Sequence, residues 1–463
     1  FGSSRSGSVH AQLGITNLHD GNQCLPFMEN GTESHDADYN APLVATENSP
    51  LVEKSSFIPS WFALIGPGIL CCLADTDAGC LIVAAESGAR WEYSLLLLQI
   101  VLIPILYWAQ NLTISLAVHT GKGHTACIKE HFGNRWAWFA TILLVVECIA
   151  AMVSEISGIS AVAELWGLPD SIAVLVAVLL VFLIVTLFTY RQIEVLGVCL
   201  GLFELTFVAT MFMYHPSIVD VAVGAVQIHA DREYLGLIAS NMGAVIMPWM
   251  IYFQQSAIVA RGLQPGKDAR AESTATLVGS CLTQLVMIGT LVTLAAANSG
   301  AVSLTSVKEI VEALAPKLGM GVSKVLVSLA FLGGSGCAAF VVSLAASWAI
   351  CEASGLPQDE VANSLDARPT EAPFFYLTFA CVAVIGPVII ILGGLNVVRL
   401  NVLIEMLDGM LLPFALGFLF LLATSDALPP EARLQGPWKW FLGTVFTLCV
   451  VLSLVSAALG LMP

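Results

Sequence analysis

The stretch LCCLADTDAGCLIV, Leu70–Val83, sets two carboxylates, Asp75 and Asp77, in the middle of an apolar run from Trp61 to about Ala85 that holds no other charge. A run of that length spans a bilayer. At the bilayer midplane an ionised aspartate costs about 2.5–3.5 kcal/mol on insertion scales, so the pair opposes insertion by roughly 5–7 kcal/mol. Intramembrane carboxylates survive where they face a bundle interior, pair with other groups, or lie on an ion path. Asp75 and Asp77 therefore mark the place from which function is read.

The rest of the composition agrees with a membrane setting. Of 463 residues, 57% are hydrophobic and 11% charged, against about 25% charged in a soluble globular domain. The net charge of −16 is spread over the polar N-terminal stretch and the loops rather than gathered in a block. Most of the 12 cysteines lie inside apolar segments, Cys71, Cys72, Cys80, Cys148 and Cys337 among them. There a thiol behaves as a small apolar group, and no spacing suggests a disulfide framework or a zinc site. Residues 1–56 are rich in Ser, Gly, Asn, Asp and Glu without periodicity and are expected to form a disordered tail. The Asn30-Gly31-Thr32 sequon in that tail would be inert on the cytosolic side.

Eleven apolar segments follow, near 61–89, 93–118, 136–162, 171–189, 193–214, 235–259, 272–297, 322–351, 373–394, 396–424 and 437–461. Most reach the ~20 residues that a spanning helix needs. With the N-terminus in the cytosol, 12 of the Lys and Arg residues fall on the cytosolic side and 6 on the other, which favours that orientation. The expected class is an all-α, multi-pass integral membrane protein, with a transporter domain over 57–463.

Two of the segments are interrupted. The first reads GPGIL before the DTDAG break, and the sixth reads SNMGAVIMPWMIYFQQ, with Gly243 upstream of Pro248 at mid-span. Proline removes a helix hydrogen bond and glycine tolerates unwound backbone. Broken helices at corresponding positions of two halves point to an inverted repeat with its site at the midplane. The halves would be five plus five helices, about 60–214 and 235–424, with the helix at 437–461 appended.

The stretches GPGILCCLADTDAGC, HTGKGH, SEISGISA, RQIEVLG, GAVIMPWMIYFQQSAIV and LLPFAL resemble the Nramp family of divalent metal transporters, over about residues 60–425. The resemblance implies a LeuT-type fold and a metal ion held between the unwound parts of helices one and six. The family's Asp-Pro-Gly-Asn is here Asp77-Ala78-Gly79-Cys80, and its Ala-x-x-Met-Pro-His is Ala244-Val245-Ile246-Met247-Pro248-Trp249. Asp77 offers a charged oxygen, Ala244 a freed carbonyl and Met247 a thioether, and Cys80 stands where the family has asparagine. Sulfur favours transition metals over Mg²⁺ and Ca²⁺.

Further acids surround this set. Asp75 lies two residues before Asp77, so both reach one ion only if the backbone is extended; otherwise Asp75 faces a water-filled vestibule or pairs elsewhere. Glu405 falls where the family has a glutamine near the metal, with Asp408 on the same helix face. A glutamate there pulls toward harder ions, unless it pairs with Arg399. The family's third-helix Asp-x-x-Glu-x-x-Gly is here Met152-x-x-Glu155-x-x-Gly158, and the sixth-helix histidine is Trp249. Proton coupling thus rests on Glu155, with Glu147 two turns away as a second relay group.

Thr120–His124 reads as a turn, because the GxxxxGK[ST] phosphate loop is absent, and all eight histidines fall in tail and loops. An enzyme is not expected, since no catalytic spacing such as HExxH occurs. An organic-acid carrier conflicts with Asp77, which would repel a substrate carboxylate. The expected function is alternating-access transport of Mn²⁺ or Fe²⁺, with protons as the candidate coupling ion; the alternative is Mg²⁺ transport without coupling. The expected partners are the divalent ion and the bilayer. No cofactor and no nucleic acid are expected, and a monomer suffices.

Overall fold

The computed structural model describes residues 66–297, 303–393 and 396–462, and all of its regular elements are helical. The expected tail and its sequon lie outside those residues. Ten helical stretches are long and apolar enough to cross a membrane, and the bent pair Pro67–Ala74 with Ala78–Trp91 makes an eleventh span. In order, the others are Leu96–Thr120, Asn134–Leu165, Asp170–Leu187, Tyr190–Tyr214, Arg232–Ala260, Lys267–Ala297, Met320–Ser354, Pro373–Gly393, Val397–Thr424 and Gly436–Leu461. Four shorter helices escape a hydropathy reading: His124–Phe132, Ile218–Gly224, Val307–Leu318 and Gln358–Ala362. The first of these corrects the expectation of a simple turn. Gly121 ends the second span in the left-handed region, φ 60°, and the chain re-enters a helix at His124, which is buried rather than a loop residue.

Burial separates the spans into inner and outer sets. The sixth is 89% buried over its most apolar stretch, whereas the fourth and ninth are only 22% and 33% buried and turn Leu, Ile and Phe outward. Glycines let the inner spans approach closely, as small residues do throughout membrane bundles. A β-carbon on Gly334 of the eighth span would sit 2.6 Å from the carbonyl of Thr76, and one on Gly158 of the third would sit 2.5 Å from Ala78. The middle of the first span is thereby held between the third and eighth.

Both breaks follow from local chemistry. The first half-helix ends at Asp75, and Asp77 restarts the second by capping it: its Oδ1 accepts the N–H of Cys80 at 2.8 Å. The two halves diverge by 50°. In the sixth span the helix ends at Gly243, and Met247 is extended at φ −80°, ψ 140°. Pro248 enforces this, since it disfavours helical geometry in the residue before it while being preformed for the first position of a new helix.

Candidate metal centre

The two breaks meet at the centre of the bundle. Cys80, one turn into the second half of the first span, directs its thiol at the carbonyl oxygen of Ala244, 3.0 Å away. Glu405 of the tenth span lies over Gly79, where any side chain would overlap its carboxylate. Ligating atoms of Asp77, Cys80 and Glu405 all fall within 4.8 Å of one another. Each of these residues is at most 1% exposed, so the cluster is occluded from both ends.

Charge at this centre is unbalanced. Asp77 Oδ2, Glu405 Oε2 and both oxygens of Asp75 and Asp408 are buried without a hydrogen-bond partner. No Lys or Arg forms an ion pair with any of them among the described residues. That excludes the Arg399 pairing for Glu405; Arg399 lines a separate cavity at the far end. Nor does Asp75 face a vestibule: it is fully buried at the end of its half-helix, because the spans that close over the break leave it no route to water. An isolated buried carboxylate is so costly that it takes up a cation or a proton. Several within one cluster could hold a cation between them.

Met247 departs from the expected ligand geometry. Its sulfur accepts the indole N–H of Trp249 at 2.9 Å. Glu155 reaches the first break from the third span, accepting the N–H of Ala78 at 3.4 Å with one oxygen while the other has no partner. Glu147 is also buried, with Oε2 3.6 Å from the Cys148 thiol and Oε1 without a partner. It stands in electrostatic contact with Asp408 and Glu405. The structure therefore gathers all nine sequence-derived residues around the breaks, with Asp77, Cys80, Ala244 and Glu405 innermost.

Other polar residues complete the centre and are not among the residues singled out from the sequence. Glu204 of the fifth span accepts the hydroxyl of Thr76 between the two aspartates. Asn401 of the tenth accepts from Ser154 and donates to Ser157 at 2.9 Å, tying the third span to the tenth. In the sequence Glu204 is an intramembrane carboxylate of the kind that marks Asp75 and Asp77, whereas Asn401 is a neutral amide that only its partners identify.

Both ends of the bundle are latched. At the end where the first span begins, Glu272 accepts the N–H of Gly68 at 2.5 Å. Glu194 there binds Arg191 and Arg261, each at 2.5 Å. Glu352 accepts the Ser256 hydroxyl at 2.8 Å and the N–H of Ala126 at 3.2 Å. His124 pairs through Nδ1 with Gln255 at 2.8 Å. At the opposite end Glu86 accepts the hydroxyl of Ser303 at 2.6 Å and the N–H of Leu304 at 2.7 Å, and Arg90 pairs with Glu233.

The model of the Natural resistance-associated macrophage protein-like family, Nramp, matches residues 68–458. The chain belongs to the Nramp family. Similar proteins include the divalent metal cation transporter MntH of Listeria welshimeri, 27% identical over 310 residues, which cover 63% of this chain and 69% of that one. MntH of Staphylococcus saprophyticus is also 27% identical, over 50% of this chain and 53% of its own. Among solved structures, the Eremococcus coleocola manganese transporter in complex with an aromatic bis-isothiourea compound superposes with a TM-score of 0.67 at 18% identity, over 89% of this Nramp chain and 90% of that one. MhsT in complex with L-phenylalanine follows at 0.51 and 14%, over 84% and 98%. These likenesses show the LeuT-type fold: two five-span halves whose first helices are broken, with an eleventh span appended.

Proposed function

We propose that this Nramp protein is a secondary transporter of divalent metal ions, Mn²⁺ or Fe²⁺ first among them, working by alternating access with its N-terminus in the cytosol. One observation carries the reading: two carboxylates and a thiol, Asp77, Glu405 and Cys80, converge within 4.8 Å where two broken helices meet, buried and without a cationic partner among the described residues. Two negative charges with neutral donors hold a divalent ion. The relatives named divalent metal cation transporters support the same cargo.

Asp77 is the principal charged ligand in this proposal, with Glu405 as the second. The Ala244 carbonyl and Met247 supply neutral donors from the sixth span, and the Cys80 thiol supplies one from the first. Release at either end requires the latches of that end to open while the other set holds, so that the cage meets one solution at a time. Glu155, hydrogen-bonded to the backbone beside Asp77, is the group proposed to take a proton when the ion leaves, with Glu147 as its relay. No cofactor takes part in this reading.

A second reading, Mg²⁺ transport without proton coupling, is favoured by one contact: the Met247 sulfur already accepts the Trp249 N–H, which leaves carboxylate oxygens as the uncommitted donors. Uptake of Mn²⁺ and Mg²⁺ into proteoliposomes containing a pH dye, with Asp77→Ala alongside, separates the two. Mn²⁺ uptake with acidification supports the coupled transition-metal carrier. Mg²⁺ uptake without acidification supports the second reading. If neither ion shows Asp77-dependent flux, the metal-transporter reading is wrong.

A further inference from the structure

Met247 sits at the restart of the sixth span, fully buried, one residue before Pro248. A thioether has no proton to give, so in a low-dielectric centre its contribution is a soft lone pair offered to an ion or to a donor. Here a donor has it. Trp249 is also fully buried, and its Nε1 lies 2.9 Å from the Met247 sulfur, the indole's one hydrogen-bond partner among the described residues. An indole N–H donates only, and once buried it needs an acceptor. The methionine supplies it.

The neighbouring donors are biased the same way. The Cys80 thiol is directed at the Ala244 carbonyl at 3.0 Å, so its hydrogen is committed inside the protein. Asp77 Oδ2 and Glu405 Oε2, in contrast, have no hydrogen-bond partner. The donors ready to meet an ion are therefore hard oxygens, while both sulfurs are engaged inside the protein.

Resting on the transporter reading above, we infer that Trp249 is a specificity-determining residue: by holding the Met247 thioether in an N–H···S hydrogen bond, it withdraws soft donation from the cargo ion and narrows the preference for thiophilic over oxygen-seeking divalent ions. Ions differ in how much they gain from a thioether, most for Cd²⁺, less for Mn²⁺ and least for Mg²⁺. An ion that recruits the sulfur either takes its second lone pair, weakened as a donor by the indole N–H, or breaks that bond and leaves a buried N–H without an acceptor. That penalty falls on the soft ion and spares the hard one.

The test is a double-mutant cycle read by calorimetric titration of the purified full-length protein with Cd²⁺, Mn²⁺ and Mg²⁺ separately. Trp249→Phe keeps an aromatic ring and removes the donor. It is expected to tighten Cd²⁺ binding about three- to tenfold, the scale of one hydrogen bond, with Mg²⁺ unchanged within about twofold. In the parent, Met247→Ala is expected to weaken Cd²⁺ by less than about threefold, and in the Trp249→Phe background by the full amount gained. The parent Met247→Ala arm needs no change at Trp249, so it decides the matter even if Trp249→Phe fails to fold. A loss of tenfold or more in Cd²⁺ affinity in that arm overturns the inference, because the sulfur would then already be serving the ion. So does a gain in Trp249→Phe that persists without Met247 or that Mg²⁺ shares. Failure of the parent to bind any of the three ions in an Asp77-dependent way overturns the transporter reading first, and this inference with it.

Discussion

The two helix breaks do the same geometric work with opposite chemistry. The first is made by side chains: Asp77 caps its own restart, Thr76 is held by Glu204, and Asp75 ends the leading half-helix. The sixth is made by backbone: Pro248 forces Met247 extended, and Gly243 lets the tenth span press against it. One break supplies charge and the other supplies shape. An ion between them meets a carboxylate that substitution can remove and a carbonyl that substitution cannot. Damage at the first should therefore appear in transport, and damage at the second in folding.

Glycine substitution tests this most severely. A methyl on Gly243 would overlap the backbone carbonyl of Glu405 and lie 2.6 Å from the N–H nitrogen of Gly409, neither of which can move without separating the sixth and tenth spans. Gly243→Ala is expected to cost about 3 kcal/mol or more, at the upper end of overpacking effects, seen as a drop in melting temperature of the detergent-solubilised protein. Gly79→Ala meets only side-chain ends, the carboxylate of Glu405 and the hydroxyl of Ser154 at 2.8 Å, which can swing aside. Its melting temperature should stay close to the parent's while Mn²⁺ uptake falls. Equal loss of stability in the two variants would break the comparison.

Next in size is the contrast between donors. Asp77→Ala is expected to reduce Mn²⁺ uptake at least about 100-fold, beyond the 10–100-fold typical of outer-shell partners. Met247→Ala, across the same centre, should reduce it less than about threefold, because its sulfur is already engaged. Initial rates in proteoliposomes measure both, and comparable losses would mean that the two breaks share the ion evenly.

The first half of the first span and the second half of the sixth are also tethered differently at the end where the first span begins, by Glu272 on Gly68 and by His124 on Gln255. His124 lies outside the spans, and burial pushes its imidazole down from 6.5 to about 4. The folded form thus binds fewer protons than the unfolded chain between those values, so stability is complete above about pH 6.5 and declines as the pH falls toward 4. Between pH 7.5 and pH 5 the loss is about 2 kcal/mol. Thermal unfolding at pH 7.5 and pH 5 should show a smaller decline in His124→Asn than in the parent; equal declines would place the titration elsewhere. Smaller still is the effect of Glu405→Gln, expected to lower Mg²⁺ uptake about tenfold and Mn²⁺ uptake less, since Mg²⁺ leans most on charged oxygen.

The legibility of the molecule followed the same divide. Hydropathy located eleven spans, and Pro248 and the paired aspartates marked the breaks, because long apolar runs and helix breakers act through near neighbours in sequence. The Asp77, Cys80 and Glu405 cluster was legible through the family resemblance. What escaped is non-local. Glu204 and Asn401 are buried polar residues whose partners, Thr76, Ser154 and Ser157, lie on other spans. The Trp249 indole turned onto Met247 is a rotamer choice that no spacing encodes. The Val307–Leu318 and Gln358–Ala362 helices are too short or too polar for a spanning-length window to register.

Cys80 gives this transporter a built-in reporter of its own cycle. Thiol chemistry needs contact with a reagent in solution, and in the occluded form this sulfur has none. A small, membrane-impermeant alkylating reagent supplied to one face of oriented vesicles would therefore react at a rate set by how often that face opens. Adding the cargo ion would slow the reaction by occupying the same space. The residue that sets this chain apart from the family's asparagine at that position thus turns gate opening into a timed covalent mark, readable without engineering a probe into the protein.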